Sequence, residues 1–425
     1  MESAKTISSK DVKYFDYYLF FLFSSEVYVN FSTWSFFSYL RGIIIVSYIL
    51  WLFLITLKPL KNASAAIILI FIIYSAGLVL FSSNQFGSFY QFSRIFPSLL
   101  VFPITINLFD YEKAKYILRV FANLIVVIGI YLILASIWGI GGTGYHVEDD
   151  DFTRGGLNSA SQFYITILAP ALLFFGFIPR QKKALIIITA LISILFLVTG
   201  MKRTSIILII VSLLIYLIFT EGRFRLHYIR FLIIAGIIAF LTSTYWLTTL
   251  QKRYEHRAEL MVADREVFER EGRTIELEAV LTEIFSFHDI SFSFFGRSPF
   301  STAGQYGKTG GYYFGSRRPI HNDFAMLLNS LGLTGMLIYL AFLWVVFVRL
   351  IKYYKYRIKI EDGKLFFLLF SVIFITSLLN MYNGSFYGTG NRTIVMFFLG
   401  LLFVKPVYKE EIIRFKPKSK ENANV

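Results

Sequence analysis

Long apolar runs alternate with short polar connections from one end of the chain to the other. About twelve of these runs approach the roughly 20 residues that a helix needs to cross the hydrocarbon core of a membrane. A helix satisfies its own backbone hydrogen bonds inside lipid, so the runs predict transmembrane helices. They lie near 14–30, 36–57, 63–82, 92–109, 115–138, 158–178, 183–200, 203–220, 228–249, 321–348, 364–382 and 389–404. We therefore predict an all-α polytopic membrane protein of about twelve transmembrane helices.

One connection, residues 250–320, is much longer than all the others and divides the chain. The predicted organisation is an N-terminal bundle of about nine spans (1–249), a loop domain (250–320), three C-terminal spans (321–404) and a basic tail (405–425). Within the loop domain, apolar residues between Leu277 and Phe285 recur at helical spacing. This spacing predicts an amphipathic helix that lies on the membrane surface.

The composition agrees with a membrane protein and narrows its chemistry. Of the 425 residues, 56% are hydrophobic and 16% are charged, whereas soluble chains carry about a quarter charged residues. The absence of cysteine excludes disulfides, cysteine-ligated zinc and thiol nucleophiles. Five histidines in the whole chain leave little material for a multi-histidine metal site. We predict no metal and no cofactor.

The formal net charge of +15 would suit a nucleic-acid partner, but the positions of Lys and Arg indicate a membrane orientation instead. Every second connection is rich in these residues, and such connections face the cytoplasm. Both termini then lie in the cytoplasm, residues 250–320 lie outside, and much of the positive charge faces the inner leaflet. This pattern predicts a multi-pass membrane protein without a nucleic-acid partner.

Cations on the predicted outer face are few. The short outer loops contain Arg94, Arg154, Lys202, Arg203 and Arg392, and the long loop adds Arg273, Arg297, Arg317 and Arg318. Several arginines at one membrane surface suit a ligand with clustered phosphates, because the guanidinium group binds phosphate through two hydrogen bonds. At the outer leaflet of a bacterial membrane, a polyprenyl-diphosphate-linked sugar is such a ligand.

Three polar residues, His321, Asn322 and Asp323, stand at the head of the tenth apolar run. Asn322 or Asp323 would cap the following helix, whose N-terminus favours a nearby anion. Neighbouring arginines disfavour the charged form of a histidine, which leaves a neutral imidazole to act as a base. Transfer of a sugar from a diphosphate needs cations to stabilise the leaving group and one base for the acceptor hydroxyl.

Each of these residues also has a structural interpretation when it is taken alone. A histidine such as His321 is more often a polar residue at a helix start than a catalytic base. The Lys202–Arg203 pair is typical of side chains that extend from a helix end towards the membrane interface. Arg273, within "EREGRTIE", has the surroundings of a solvated surface charge.

Four segments, in this order, resemble the O-antigen polymerase and ligase superfamily. "FTRGGLNSASQF" (152–163) is similar to its Arg–x–x–Gly–…–Asn element, and "TGMKRTSIILII" (199–210) to its Ser–Arg helix start, with Lys202 where Ser is commoner. "EGRTIELEAVL" (271–281) and then "FFGRSPF" (294–300) are similar to the Gly-Arg element and later Gly turn of its outer loop. "HNDFAMLLNSLGLTGMLIYL" (321–340) is similar to its His-Asn, Leu…Gly-x-x-Gly signature.

The resemblance implies a fold of the GT-C type and assigns roles to individual residues. Arg203 and Arg273 would bind the donor diphosphate, Arg154 would contact an anion or a sugar, and His321 would activate the acceptor hydroxyl. Asn322 and Asp323 would orient that histidine or cap its helix. The remaining supporting cations on the same face are Lys202, Arg317 and Arg318.

The predicted function is a metal-independent glycosyltransferase that polymerises undecaprenyl-diphosphate-linked repeat units into O-antigen or a related surface polysaccharide. Its partners would be the two lipid-linked glycans, membrane lipid and a chain-length regulator. Two alternatives stay open: an O-antigen ligase that transfers finished polymer to lipid A–core, and a twelve-span transporter or flippase. Transporters carry ionisable or helix-breaking residues near the membrane midplane, whereas the charges here cluster at predicted span ends.

Overall fold

The computed structural model describes residues 13–22, 35–56, 62–138, 159–199, 203–241, 247–248, 251, 272–300, 320, 322–382, 384 and 389–407. Within these ranges the chain is helical and forms no β-strand. The helices are α1 (13–22), α2 (Ser35–Thr56), α3 (Ala63–Leu80), α4 (Gln85–Leu108), α5 (Tyr111–Ile137), α6 (Ser159–Leu172), α7 (Arg180–Thr199), α8 (Arg203–Phe219), α9 (Arg223–Leu241), α10 (Gly272–Phe285), α11 (Ile290–Phe295), α12 (Asp323–Tyr356), α13 (Gly363–Met381) and α14 (Thr389–Leu401). The all-α prediction is confirmed for this part of the chain.

Five of the described helices are long and apolar enough to cross a membrane. They are α3, α4, α5 as far as Leu134, α12 and α13. Four further apolar stretches are shorter: Leu40–Thr56, Phe163–Leu172, Ser205–Phe219 and Asn391–Leu401. Length and composition thus support a membrane protein, and each predicted span contains a helix. The count of twelve spans and the outer position of residues 250–320 stay predictions.

Short polar side chains determine where several helices begin. The side-chain oxygens of Asn62, Asn84, Asp110 and Asn322 accept hydrogen bonds from backbone N–H groups in the first turns of α3, α4, α5 and α12, respectively. Asn and Asp favour this position because they satisfy donors that have no partner within the helix. The cap at Asn84 lets α4 begin at Gln85, seven residues before the apolar run at 92–109.

The first and last parts of the chain pack together around α4, which contacts α2, α3 and α14. At the α4–α14 contact, Gly400 lets the backbone of α14 lie against Phe102 and Thr105. Helix α1 joins the same region, where Phe15 stacks on Phe397 with ring centroids 5.2 Å apart. A second group is formed by α5, α6, α7, α8 and α13, and α12 connects to it through α13.

Helix α12 is not one continuous helix, because the backbone at Gly332 has φ 63° and ψ −169°. Residues 323–331 therefore form a separate leading segment, of which all but Phe324 are buried. The 24 residues 333–356 alone reach about 36 Å, enough to cross a membrane. The predicted single span at 321–348 thus contains a short buried helix followed by a long one.

The predicted amphipathic helix is present as α10, and its apolar side contacts protein. Val280 and Ile284 are buried, and Leu277 and Leu281 pack at the edge of the same core. Helix α10 contacts α12, whereas Phe285 is 56% exposed. The apolar periodicity thus reflects a helix that covers the leading segment of α12.

Candidate functional site

The start of α12 is held by a buried carboxylate from α10. Glu276 is fully buried, and its Oε2 accepts a hydrogen bond from the backbone N–H of Asn322 at 3.0 Å. The Asn322 side-chain Oδ1 in turn accepts from the backbone N–H groups of Phe324 and Ala325, at 3.0 and 3.2 Å. Asn322 is therefore fixed through its backbone to α10 and through its side chain to α12.

The surroundings of this contact are polar although they are buried. Asn322 is fully buried and Asp323 is 1% exposed. The Nδ2 group of Asn322 has no hydrogen-bond partner among the described residues. A second contact lies nearby: the hydroxyl groups of Thr274 in α10 and Tyr382 after α13 lie 2.6 Å apart. The beginnings of α10 and α12 and the end of α13 therefore meet.

Arg392, predicted as an outer-face cation, is 4% exposed. Its Nε donates to Ser98 Oγ at 2.5 Å, and its Nη2 donates to the backbone carbonyl of Arg94 at 3.5 Å. Tyr339 lies within electrostatic range of both Arg392 and Asp323. Two opposite charges are thus buried near one tyrosine of α12.

A small cavity of about 30 Å³ adjoins Arg392 and is also lined by Tyr164, Tyr339 and Asn391. This volume has room for one or two water molecules but not for a sugar ring. We call Glu276, Asn322, Asp323, Arg392 and Tyr339 together the buried polar cluster. The cluster contains three buried charged side chains, Glu276, Asp323 and Arg392.

The predicted site residues fall into three groups in the structure. His321, Arg154, Lys202, Arg317 and Arg318 lie outside the described residues. For Arg203 and Arg273 the structure describes the backbone, which places them as the first residue of α8 and the second residue of α10. Asn322 and Asp323 are described in full, and the predicted capping role of Asn322 is confirmed.

The position of Arg203 follows from the direction of α8. An ion pair of 2.6 Å between Lys364 Nζ and Glu221 Oε2 joins the start of α13 to the end of α8. The two helices pack against each other, so they run antiparallel. The first residue of α8, Arg203, therefore lies at the end of the bundle where α13 finishes at Met381. The starts of α8, α10 and α12 share that end.

Two glycines in the quoted motifs allow a direct backbone contact. Gly296 (φ 76°, ψ −172°) and Gly332 (φ 63°, ψ −169°) occupy a region that is essentially restricted to glycine. A Cβ atom on Gly332 would overlap the backbone of Phe294, and one on Gly296 would overlap that of Ser330. The Gly turn of "FFGRSPF" and the first Gly of "LGLTG" thus pack against each other.

The break in α12 leaves backbone carbonyl groups that other elements satisfy. The carbonyl of Asn329 accepts from the backbone N–H of Arg297 at 2.8 Å. The carbonyl of Leu331 accepts from the hydroxyl of Tyr74 in α3 at 2.9 Å. Carbonyl groups in the last turn of a helix need such partners when they are buried. The break in α12 is therefore stabilised by hydrogen bonds from α3 and from the residue that follows the α11 C-cap.

Sequence reasoning missed Glu276 and the burial of Arg392. The position of Glu276, three residues after Arg273 and next to the buried apolar positions of α10, places it on the face that contacts α12. The Asn391–Arg392 pair opens an apolar run, which is also a pattern typical of solvent-facing helix starts. Burial could therefore have been suspected for Glu276 but not for Arg392.

Among the described residues, no group of three or more His, Asp or Glu side chains converges to form a metal site. No protein-family model matches the chain, and no curated protein matches it. The O-antigen polymerase and ligase resemblance rests on the four quoted segments.

Proposed function

We propose that this protein is a membrane glycosyltransferase that joins undecaprenyl-diphosphate-linked repeat units into a surface polysaccharide on the outer face of the bacterial inner membrane. The observation that carries the proposal is the hydrogen bond between Glu276 and the backbone of Asn322. It connects the Gly-Arg helix to the His-Asn helix start, so that Arg273 lies one turn from Glu276 and His321 directly precedes Asn322. Arg273 and His321, which have complementary proposed roles, are thus close in sequence to the two partners of this hydrogen bond.

The reaction follows from these roles. The acceptor hydroxyl attacks the anomeric carbon of the donor sugar and forms the new glycosidic C–O bond. The bond between that carbon and the phosphate oxygen breaks, and undecaprenyl diphosphate leaves with the electron pair. His321 takes the hydroxyl proton, and Arg203 and Arg273 stabilise the charge on the leaving diphosphate, with Arg154 as a further anion or sugar contact.

The remaining supporting residues would act on these groups rather than on the reacting atoms. The capped helix start at Asn322 and Asp323 would orient His321 and keep a helix N-terminus directed at the anion. Lys202, Arg317 and Arg318 would add positive charge to the same face. No cofactor takes part, and the expected partners are the two lipid-linked glycans and a chain-length regulator.

The test is polysaccharide profiling of a deletion strain that expresses wild type, His321→Ala or Arg273→Ala at equal membrane abundance. We expect wild type to restore a ladder and both variants to leave single repeat units on lipid A–core. The matched controls are His288→Ala, an exposed histidine between α10 and α11, and Arg225→Ala, an exposed arginine of α9. Both controls should restore the ladder. Full complementation by His321→Ala and Arg273→Ala would overturn the proposed mechanism.

The same assay separates the polymerase from the ligase. Loss of a ligase would let long polymer accumulate on the lipid carrier without reaching lipid A–core. That outcome would retain the diphosphate chemistry and replace the acceptor with lipid A–core.

A transporter is the second candidate, and one observation favours it. Transporter sites are formed by discontinuous helices and buried charges, and this protein has both: α12 is broken at Gly332, and Asp323 and Arg392 are buried. The cavity of about 30 Å³ at Arg392 is far smaller than a lipid-linked sugar, which argues against a transport path at this place. In the deletion strain, loss of a flippase would leave lipid A–core without any repeat unit, because units would not reach the outer face.

A further inference from the structure

A large cavity lies at the opposite end of the bundle from the buried polar cluster. Its volume is about 990 Å³, at the upper limit of pockets that bind small molecules. It lies between the α6–α7 connection, the starts of α7 and α13, and the turn between α8 and α9. The Lys and Arg pattern predicts that this end faces the cytoplasm.

The pocket combines an apolar interior with a basic mouth. The interior includes Leu173, Phe174, Ile187 and Leu368. The charged residues that line the pocket are Arg180, Lys183 and Lys364, with Glu221 as the single acid. Three cations and one carboxylate leave the mouth with an excess of positive charge.

Two of the three cations carry this excess. Lys364 is paired with Glu221 at 2.6 Å. Arg180 and Lys183 form no ion pair with any residue in the described ranges, and they are close enough for their charges to repel each other. The adjacent Lys182 does not line the pocket. Its ammonium group instead donates a hydrogen bond to Asn123 Oδ1 at 2.7 Å.

We propose that this pocket binds one anionic glycerophospholipid, with the headgroup phosphate between Arg180 and Lys183 and an acyl chain along Leu173, Ile187 and Leu368. The charge excess favours an anion, and the apolar lining favours a hydrocarbon chain on the same molecule. A free phosphate would leave the apolar lining unfilled. A zwitterionic lipid would leave the two cations without a net opposite charge.

The test uses the full chain in phosphatidylcholine nanodiscs, titrated with dioctanoyl phosphatidylglycerol, with bound lipid counted by native mass spectrometry. Each cation near the membrane surface contributes about fivefold in affinity, so Arg180→Gln/Lys183→Gln should weaken binding about 30-fold. Lys182→Gln removes the same charge at an adjacent position outside the pocket and should leave the affinity within about twofold. Equal losses in the two variants would overturn the proposal.

Two ligand controls and two further variants complete the test. Glycerol phosphate tests the charge without a chain, and dioctanoyl phosphatidylcholine tests the chain without net charge. Either compound binding as tightly as phosphatidylglycerol would overturn the proposal.

Leu368→Trp should reduce phosphatidylglycerol binding by filling the apolar part. Should the double variant fail to fold, Arg180→Gln at an exposed position should by itself cost about fivefold, and an unchanged affinity would overturn the proposal.

Discussion

Two sets of charged side chains, one at each end of the helix bundle, differ in their exposure to solvent. At one end Glu276, Asp323 and Arg392 are almost completely buried next to the broken helix α12. At the other end, which we call the exposed end, Lys364 and Glu221 form an ion pair at the surface, with side chains that are 46% and 60% exposed. A charge stays buried only where hydrogen bonds and neighbouring charges offset its loss of water, whereas an exposed pair contributes little. We therefore expect that the loss of one contact at the buried end lowers the stability of the fold strongly, whereas the loss of one ion pair at the exposed end has little effect.

This difference also separates the two proposals. The buried end has a small cavity of about 30 Å³, and its contacts link elements that are distant in sequence. The exposed end has an open pocket of about 990 Å³ with an apolar interior. Rigid, mutually fixed helix starts suit catalytic groups that must keep their geometry. An open apolar pocket with surface cations suits a lipid that binds from the bilayer.

The largest expected effect comes from glycines with positive φ at the two ends. Gly332→Ala adds strain in a region restricted to glycine and an overlap with the backbone of Phe294, so it should lower the free energy of unfolding by about 4 kcal/mol. Gly222 has φ 59° but open space around it, so Gly222→Ala should cost only about 1 kcal/mol. Thermal unfolding in detergent measures both variants, and similar losses would contradict the proposed role of packing at Gly332.

An intermediate effect is expected from the same substitution at two helix caps. Asn62 caps α3 at the exposed end, and Asn62→Asp should be neutral or stabilising by up to about 0.5 kcal/mol, because Asp also caps helices and the N-terminus favours a negative charge. Asn322→Asp puts a carboxylate next to Glu276 and Asp323 in a buried place and should cost about 2 kcal/mol.

The pH dependence of the Asn322→Asp variant checks the cause. The environment raises the pKa of the introduced carboxyl, so the loss of stability should be complete at neutral pH and shrink towards the ordinary aspartate pKa of about 4. Unfolding measured between pH 8 and 4 tests this. A loss that is independent of pH would indicate a disturbed cap instead of like-charge repulsion.

The smallest effect is expected at the Glu221–Lys364 pair. The hydrogen bond and the positive charge of Lys364 lower the pKa of the Glu221 carboxyl below its ordinary value. A lowered pKa stabilises the fold above the ordinary value of 4.5, and this contribution is lost as the pH falls through the lowered pKa. Glu221→Gln should therefore cost at most about 0.5 kcal/mol at pH 7 and nothing at pH 3. The difference should also vanish in 1 M salt, and a larger or salt-independent loss would show that the pair is not a surface contact.

Local pattern predicted most of the elements correctly, because hydrophobic runs of this length fold as helices whatever their neighbours. The helical spacing between Leu277 and Phe285 also predicted α10, but not the surface that it covers. For the candidate site, residue type alone predicted a cap at Asn322 or Asp323, and the structure shows that it is Asn322. The partner of its backbone, Glu276, lies 46 positions away and no local rule connects the two. The break at Gly332 escaped prediction for the same reason, since a glycine within an apolar run is compatible with a continuous helix.

The sequence by itself determined that the chain is helical, apolar enough for a membrane and capped near residue 322, since these properties depend on residues a few positions apart. Only the tertiary structure decided that α12 is broken at Gly332, that Arg392 is buried against Ser98, and that α10 and α12 meet through Glu276. Each of these depends on whether a distant segment removes water from a polar group and supplies a hydrogen bond in its place. Burial is a property of the assembled helices, so it follows from their packing and not from the order of residues along the chain.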